Sequence, residues 1–399
     1  MALHRDNRNV LVLATSQALY MTGMSINAIL TGLAGLMLAT DKVLATLPFT
    51  AVIIAMMFTT VPASLLMKRI GRRSGFILGA LIGVIGGLIS AYGIYVQEFW
   101  FLVAGTFVFG MFGGFAQYFR FAAADTARPE FKSKAISLVL AGGVIAAIAG
   151  PELAKWANGL FEPILFLGAY FVISALALIS ALLLCWLDIP KPSAEENKTS
   201  GRPLLEIMQQ PTFIVAVLCG MIGYSTMALV MTATPLFMQF CGFGVSDTAF
   251  IIQWHSLGMF APAFVTGHLI QRYGVLNIIL IGIVLQAGAL ILAVSGIAIH
   301  NFWFALVSVG IGWNFIFVGG TTLLTECYSP AERAKTQAVN DLIVFGSVAM
   351  ASLLSGAILH LFNWNTVMAI AAPASLILGV AVIWLRTQRR RETLAAEMP

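Results

Sequence analysis

Twelve apolar stretches divide the chain, each long enough for a helix across the hydrocarbon core, which takes about 20 residues. They cover about residues 10–38, 44–67, 76–95, 99–124, 135–156 and 163–187, then 211–240, 248–270, 276–299, 302–325, 336–360 and 367–385. In lipid every backbone N–H and C=O must find a partner within the chain, so each run has to be helix. A membrane β-barrel would show runs of about 10 residues with alternating polarity instead. Only 10% of the 399 residues are charged and 59% are hydrophobic, against about 25% charged in soluble domains. That excludes an ordinary soluble enzyme, a secreted disulfide domain and a disordered chain. The first run lacks a small-residue cleavage pattern and reads as a retained helix. Cys185, Cys219, Cys241 and Cys327 are scattered and read as small buried hydrophobes.

The longest internal polar stretch is 188–210, rich in Pro, Ser, Glu, Asn and Lys. It divides the chain into an N-terminal six-helix bundle (1–187), a linker (188–210) and a C-terminal six-helix bundle with a short basic tail (211–399). With the N-terminus inside, nineteen of the 22 Lys and Arg fall on inside segments, and only Lys42 and Lys155 fall outside. Arg120 lies within or near the end of the fourth span. This asymmetry predicts cytoplasmic termini and a cytoplasmic linker. The run Arg389-Arg390-Arg391 reads as a retention charge after the last span. Nucleic acid is not an expected partner, whereas membrane lipid is.

The halves repeat. Arg69-x-Gly71 and Arg272-x-Gly274 both lie between the second and third spans of their half, 203 positions apart. Asp125, Pro129, Lys132 and Lys134 fall over Glu326, Pro330, Arg333 and Lys335, 201 apart. Parallel six-helix repeats are an alternating-access arrangement, which a channel does not need.

With six plus six spans, a polar central linker and the loop Arg69-Ile70-Gly71-Arg72-Arg73, the chain resembles the major facilitator superfamily. The family's loop reads Gly-x-Leu-x-Asp-Arg-x-Gly-Arg-Arg/Lys; Leu66, Arg69, Gly71, Arg72 and Arg73 match, while Ser64 and Lys68 depart from it. In the second half Gly267, Leu269, Arg272 and Gly274 match and Gln271 replaces the Asp. The resemblance implies an all-α polytopic membrane protein with two six-helix bundles, related by pseudo-two-fold symmetry around a central cavity. It implies that the first and fourth helices of each half line that cavity. It also implies a gate at the cytoplasmic loops, for which Arg69, Arg72, Arg73, Asp125, Arg272, Glu326 and Asp341 are the candidates. Pairing of the loop arginines with Asp125, and of Arg272 with Glu326, would staple each half. Asp341 is expected at the start of the eleventh span, near the interface.

Polar residues inside spans mark function or helix–helix contact. Arg120 lies roughly 7 Å deeper than Asp125 along a helix and stays charged at every relevant pH. It can clamp a carboxylate or phosphate, pair with Asp125, or snorkel to headgroups. Gln117 and Tyr118 are its neighbours, though the spacing suggests that the three cannot all face one point. Gln17, Tyr20 and Asn27 share a face of the first span and form a substrate wall or inter-helix glue. Tyr224, Trp313 and Asn314 can orient an organic solute or simply pack. Glu152 and His255 are the proton-coupling candidates, with an ion pair to Lys155 and hydrogen-bonded packing as the bland alternatives. Gly150-Pro151 is similar to part of the antiporter motif Gly-x-x-x-Gly-Pro-x-x-Gly-Gly of drug exporters, although Ala146 and Ala154-Lys155 depart from it. Neither a metal-ligand set, a nucleotide loop nor a cofactor motif is present in the sequence. The leading expectation is a monomeric secondary transporter in a bacterial inner membrane, coupling protons to export of a small metabolite or drug. The alternatives are proton symport importing an organic anion, and a non-transporting sensor on a carrier fold.

Overall fold

The computed structural model describes residues 2–41, 44, 47–189 and 201–397. Lys42, Lys191, Lys198 and the linker residues 190–200 lie outside them. The chain forms two compact units, Met1–Pro129 with Leu138–Ser200, and Glu130–Ser137 with Gly201–Pro399. Its helices are α1 (Ala2–Leu38), α2 (Leu47–Ile70), α3 (Arg72–Tyr95), α4 (Phe99–Ala116), α5 (Phe119–Thr126), α6 (Lys132–Asn158) and α7 (Leu167–Leu184). After the linker come α8 (Leu204–Met208), α9 (Pro211–Phe240), α10 (Val245–Phe260), α11 (Ala263–Tyr273), α12 (Val275–Val294), α13 (Ile299–Leu324), α14 (Arg333–Leu361) and α15 (Trp364–Glu397). Each of the twelve apolar runs is helical over most of its described length. Among the described residues, nine helical stretches are long and apolar enough to cross a membrane. The runs outside that set are α1, the α10/α11 pair and α14; α1 carries the Gln17, Tyr20 and Asn27 stripe, and α14 carries Asn340 and Asp341.

Four details differ from the sequence expectation. The fourth run breaks at Gln117–Tyr118 into α4 and α5, although no Gly or Pro stands there; Tyr118 is held by donating its hydroxyl to the Thr60 carbonyl at 3.0 Å. The eighth run breaks at Ala261–Pro262, where proline offers no N–H to the helix ladder, and Phe264 N–H bonds back to Ala261 O in a tighter turn. The last helix does not stop at the basic residues but continues to Glu397, because Arg, Thr, Gln, Glu, Leu and Ala contain no helix breaker. Finally, α14 begins at Arg333, so Asp341 stands two turns inside it and is fully buried, not at a helix start.

The repeat is visible in the backbone. Gly71 (φ 87°, ψ 156°) ends the α2–α3 corner and Gly274 (φ 84°, ψ 146°) the α11–α12 corner. Both occupy a region that side chains with a Cβ avoid. In each unit the third and fourth spans cross at backbone contact. A Cβ on Gly86 would lie 2.3 Å from Phe109 N, and one on Gly312 would lie 2.7 Å from Gly282 O. Gly79 and Gly83 face Phe115 and Phe112 of α4, so this pair serves internal packing. Each unit also ties the start of its first helix to the end of its sixth span. Asn9 exchanges two 2.9 Å bonds with the Asp188 backbone, and Arg389 donates to Thr212 at 3.1 Å.

Candidate functional site

Within the first unit, a single thioether gathers several of the expected residues. The Tyr20 hydroxyl approaches Met56 Sδ at 3.8 Å, and Gln117 Nε2 approaches the same sulfur at 3.5 Å. Gln117 Oε1 accepts from Arg120 at 3.0 Å. Gln117 and Arg120, three residues apart, meet on one side, as i,i+3 neighbours do on a helix. Tyr118 points elsewhere, to Thr60. Arg120 is only 3% exposed and its guanidinium lies 4.6 Å from the Phe121 ring centroid. Tyr20 fits because Gly113 has no side chain: a Cβ there would sit 2.5 Å from its hydroxyl oxygen. Its ring packs edge-on against Phe112 at 5.1 Å. Gln17, one turn before Tyr20, is buried and its Oε1 has no hydrogen-bond partner.

Asn27 does not join this patch. It accepts from Thr31 at 2.9 Å, and Thr31 bonds the Tyr170 hydroxyl at 3.1 Å. This chain of polar groups joins α1 to α7, the inter-helix glue reading.

In the second unit, Tyr224 of α9 meets Trp313, Phe317 and Phe345 edge-on, at 5.1, 5.3 and 5.8 Å. Trp313 stacks on Phe317 at 5.0 Å. Its indole N–H is buried without an acceptor, a group that a ligand carbonyl or hydroxyl can satisfy. Asn314, its neighbour in sequence, points away. It accepts from Thr266 at 2.6 Å and donates to the Met259 carbonyl at 2.7 Å, which pins α13 to both sides of the Ala261–Pro262 break.

His255 is fully buried, with Nδ1 2.7 Å from the Leu306 carbonyl. A carbonyl only accepts, so Nδ1 carries the hydrogen and the ring leaves Nε2 as an acceptor. Nε2 has no partner. Glu152, by contrast, is exposed, as is Lys155. Among the described residues no cluster of three or more His, Cys, Asp or Glu side chains can hold a metal ion.

The loop charges divide unequally. Arg72 and Asp125 form a 2.8 Å ion pair with both side chains 9% exposed. Arg69 and Arg73 are exposed. The expected Arg272–Glu326 pair is absent. Glu326 pairs with Arg389 at 2.7 Å, and Arg272 lies 5.3 Å from the Tyr273 ring centroid. The second half has Val275 where the first has Arg72, which removes the arginine that would complete the repeat.

A further cluster escaped the sequence reading. Arg202 grips Glu332 through Nε and NH2, both at 2.8 Å, and donates to the Cys327 carbonyl at 3.0 Å. Glu332 also accepts from the backbone N–H groups of Ser329 and Arg202, at 2.9 and 2.8 Å. These bonds, the Arg202 side chain first, hold the Glu332 carboxyl well below the usual carboxylate range although burial opposes them. Nothing in the spacing of residues 202 and 332 signals this contact.

A sequence model described as Major Facilitator Superfamily matches residues 13–260 and 217–397. The chain is 40% identical over 378 residues to the riboflavin transporter RfnT of Brucella anthropi, covering 94% of this chain and 95% of that one. Among solved structures, it resembles FucP in the outward conformation (TM-score 0.75, 15% identity, 94% and 98% coverage). It also resembles the human organic anion transporter MFSD10 (TM-score 0.76, 14% identity, 94% and 99% coverage). The chain belongs to the major facilitator superfamily and has its fold. It is an integral membrane protein and a secondary-active transporter of a small solute, not an enzyme.

Proposed function

We propose that this transporter carries riboflavin or a closely related flavin. The observation that carries the reading is the 40% identity, over nearly the full length of both chains, to a protein described as a riboflavin transporter. Two features of the site support it. A flavin presents a flat aromatic ring system with carbonyl acceptors and a hydroxylated side chain. Tyr224 and Trp313 offer ring faces and edges of the kind that pack such a heterocycle, and the Trp313 N–H lacks an acceptor. Arg120, Gln117 and Gln17 supply donors and acceptors for carbonyls and hydroxyls. Arg120 here serves as a hydrogen-bond donor, so the solute need not be an anion.

In this reading Gln17, Tyr20, Met56, Gln117 and Arg120 are the candidate solute contacts within the first unit, and Tyr224 and Trp313 are the candidates within the second, each unit taken by itself. Asn27 and Asn314 are committed to helix contacts and are left out. Arg72 with Asp125 is the gate element. Glu152 and His255 remain the proton-coupling residues, and a gradient across about 100 mV supplies about 2.3 kcal/mol per charge moved. The termini face the cytoplasm of a bacterial inner membrane. A second reading, proton-coupled export of a drug or metabolite, draws on Gly150-Pro151 in α6.

The test is riboflavin counterflow in proteoliposomes, with and without an imposed proton gradient of either sign, for wild type and Arg120→Ala. Saturable exchange that Arg120→Ala weakens supports the reading, and the sign of the effective gradient gives direction. Absence of exchange with riboflavin and its phosphorylated forms, in protein that remains folded, removes the flavin assignment.

A further inference from the structure

The basic end of α15 carries a groove outside the proposed solute contacts. A cavity of about 390 Å³ is lined by Pro211 at the start of α9 and by Trp384, Thr387, Gln388 and Arg391 of α15. Arg389 leaves this groove, drawn to Thr212 and Glu326. Arg391 is exposed, and among the described residues no carboxylate pairs with it. Gln388 donates Nε2 to Glu392 at 3.0 Å, but its Oε1 is buried without a partner. The groove therefore presents a cation that wants an anion, with the Gln388 side chain beside it.

The face leading into it is apolar. Ile377, Val380, Trp384, Gln388 and Arg391 follow one another at helical spacing. Ile377, Val380 and Trp384 are 58%, 69% and 50% exposed, as expected of side chains that meet lipid tails. Tryptophan is enriched where tails give way to headgroups. Aliphatic stripe, tryptophan, amide and arginine are the order of chemistries along one phospholipid molecule, from tail to headgroup.

We propose that this groove binds phosphatidylglycerol. Its phosphate sits on Arg391, its headgroup lies beside Gln388, and one acyl chain follows Ile377, Val380 and Trp384. Glu392, held against Gln388, disfavours a headgroup with more negative charge.

The experiment is native mass spectrometry of the full chain, purified in detergent and exposed to equal amounts of phosphatidylglycerol and phosphatidylcholine. Wild type is expected to retain phosphatidylglycerol about fivefold over phosphatidylcholine, the scale of one arginine at an anionic surface. Arg391→Gln should bring the ratio near parity, while Arg386→Gln, which removes the same charge elsewhere on α15, should leave it intact. Equal losses in Arg386→Gln and Arg391→Gln would mean a diffuse basic field and overturn the site. Displacement of the lipid by equimolar glycerol phosphate would assign the groove to a soluble anion and overturn the lipid. Wild-type selectivity in Arg391→Gln would overturn the site as well.

Discussion

Arg72 and Asp125 close a 2.8 Å ion pair between the first residue of α3 and the end of α5, with both side chains 9% exposed. At so little exposure the pair behaves as a unit. Removing one partner leaves a charge without compensation, which costs about 3–5 kcal/mol in buried settings. Arg72→Ala is therefore expected to lower the thermal midpoint of the purified protein strongly. The double variant Arg72→Ala/Asp125→Ala should recover part of the loss. A double variant that is worse than either single one would deny the coupling.

Gly71 and Gly274 hold the two corners with φ of 87° and 84°. Alanine at either position should destabilise the protein by about 1–3 kcal/mol, the cost of holding a side chain in a backbone region open essentially only to glycine. Gly288 is the contrast: it is helical in α12 with open space around it. Gly288→Ala should be neutral or stabilising by about 0.5–1 kcal/mol. Denaturation midpoints of the three variants check the ordering.

The Arg202–Glu332 cluster sets a pH signature. Its carboxyl titrates below the ordinary value in the folded chain, so its stabilisation is complete above the unfolded value of about 4.3. It disappears as pH falls toward the folded value. The gap in thermal midpoint between wild type and Glu332→Gln should be widest near pH 6 and should narrow below about pH 4.3. A gap that stays constant or grows on acidification would show that the arginine contact does not act through the carboxylate charge.

Trp313 and Asn314 are neighbours with opposite expected phenotypes. Trp313→Phe keeps the ring and removes the N–H, so it should raise the apparent KM by about two- to tenfold, the worth of one hydrogen bond, with stability little changed. Asn314→Ala removes the amide donor from the Met259 carbonyl and leaves the Thr266 hydroxyl only the Pro262 carbonyl, and should cost about 1–3 kcal/mol of stability with KM unchanged. Transport kinetics and melting curves, measured on both, separate the roles.

Much of the fold can be read from the chain itself, for reasons that lipid imposes. Spans must be long, apolar and helical, and the Arg-x-Gly corners announce themselves by spacing. The site is less legible. The break at Gln117–Tyr118 has no breaker residue. Met56 looks like any other apolar residue of α2, yet its sulfur joins Tyr20 to Gln117. Asn27 and Asn314 carry the same amide as Gln17 and Gln117. Only their partners, Thr31 and Thr266, reveal that they bind helices. The choice of Arg389 over Arg272 by Glu326 depends on a helix that runs past its apolar segment, which hydropathy does not mark.

That last contact has a practical side. Because Glu326 pairs with Arg389, which lies beyond the apolar segment of α15, the last turns of α15 are part of the second unit's wiring. A purification tag, reporter fusion or truncation placed there edits the electrostatics of the α13–α14 corner. N- and C-terminally tagged forms of this transporter are therefore different reagents, to be compared before either stands for the native chain.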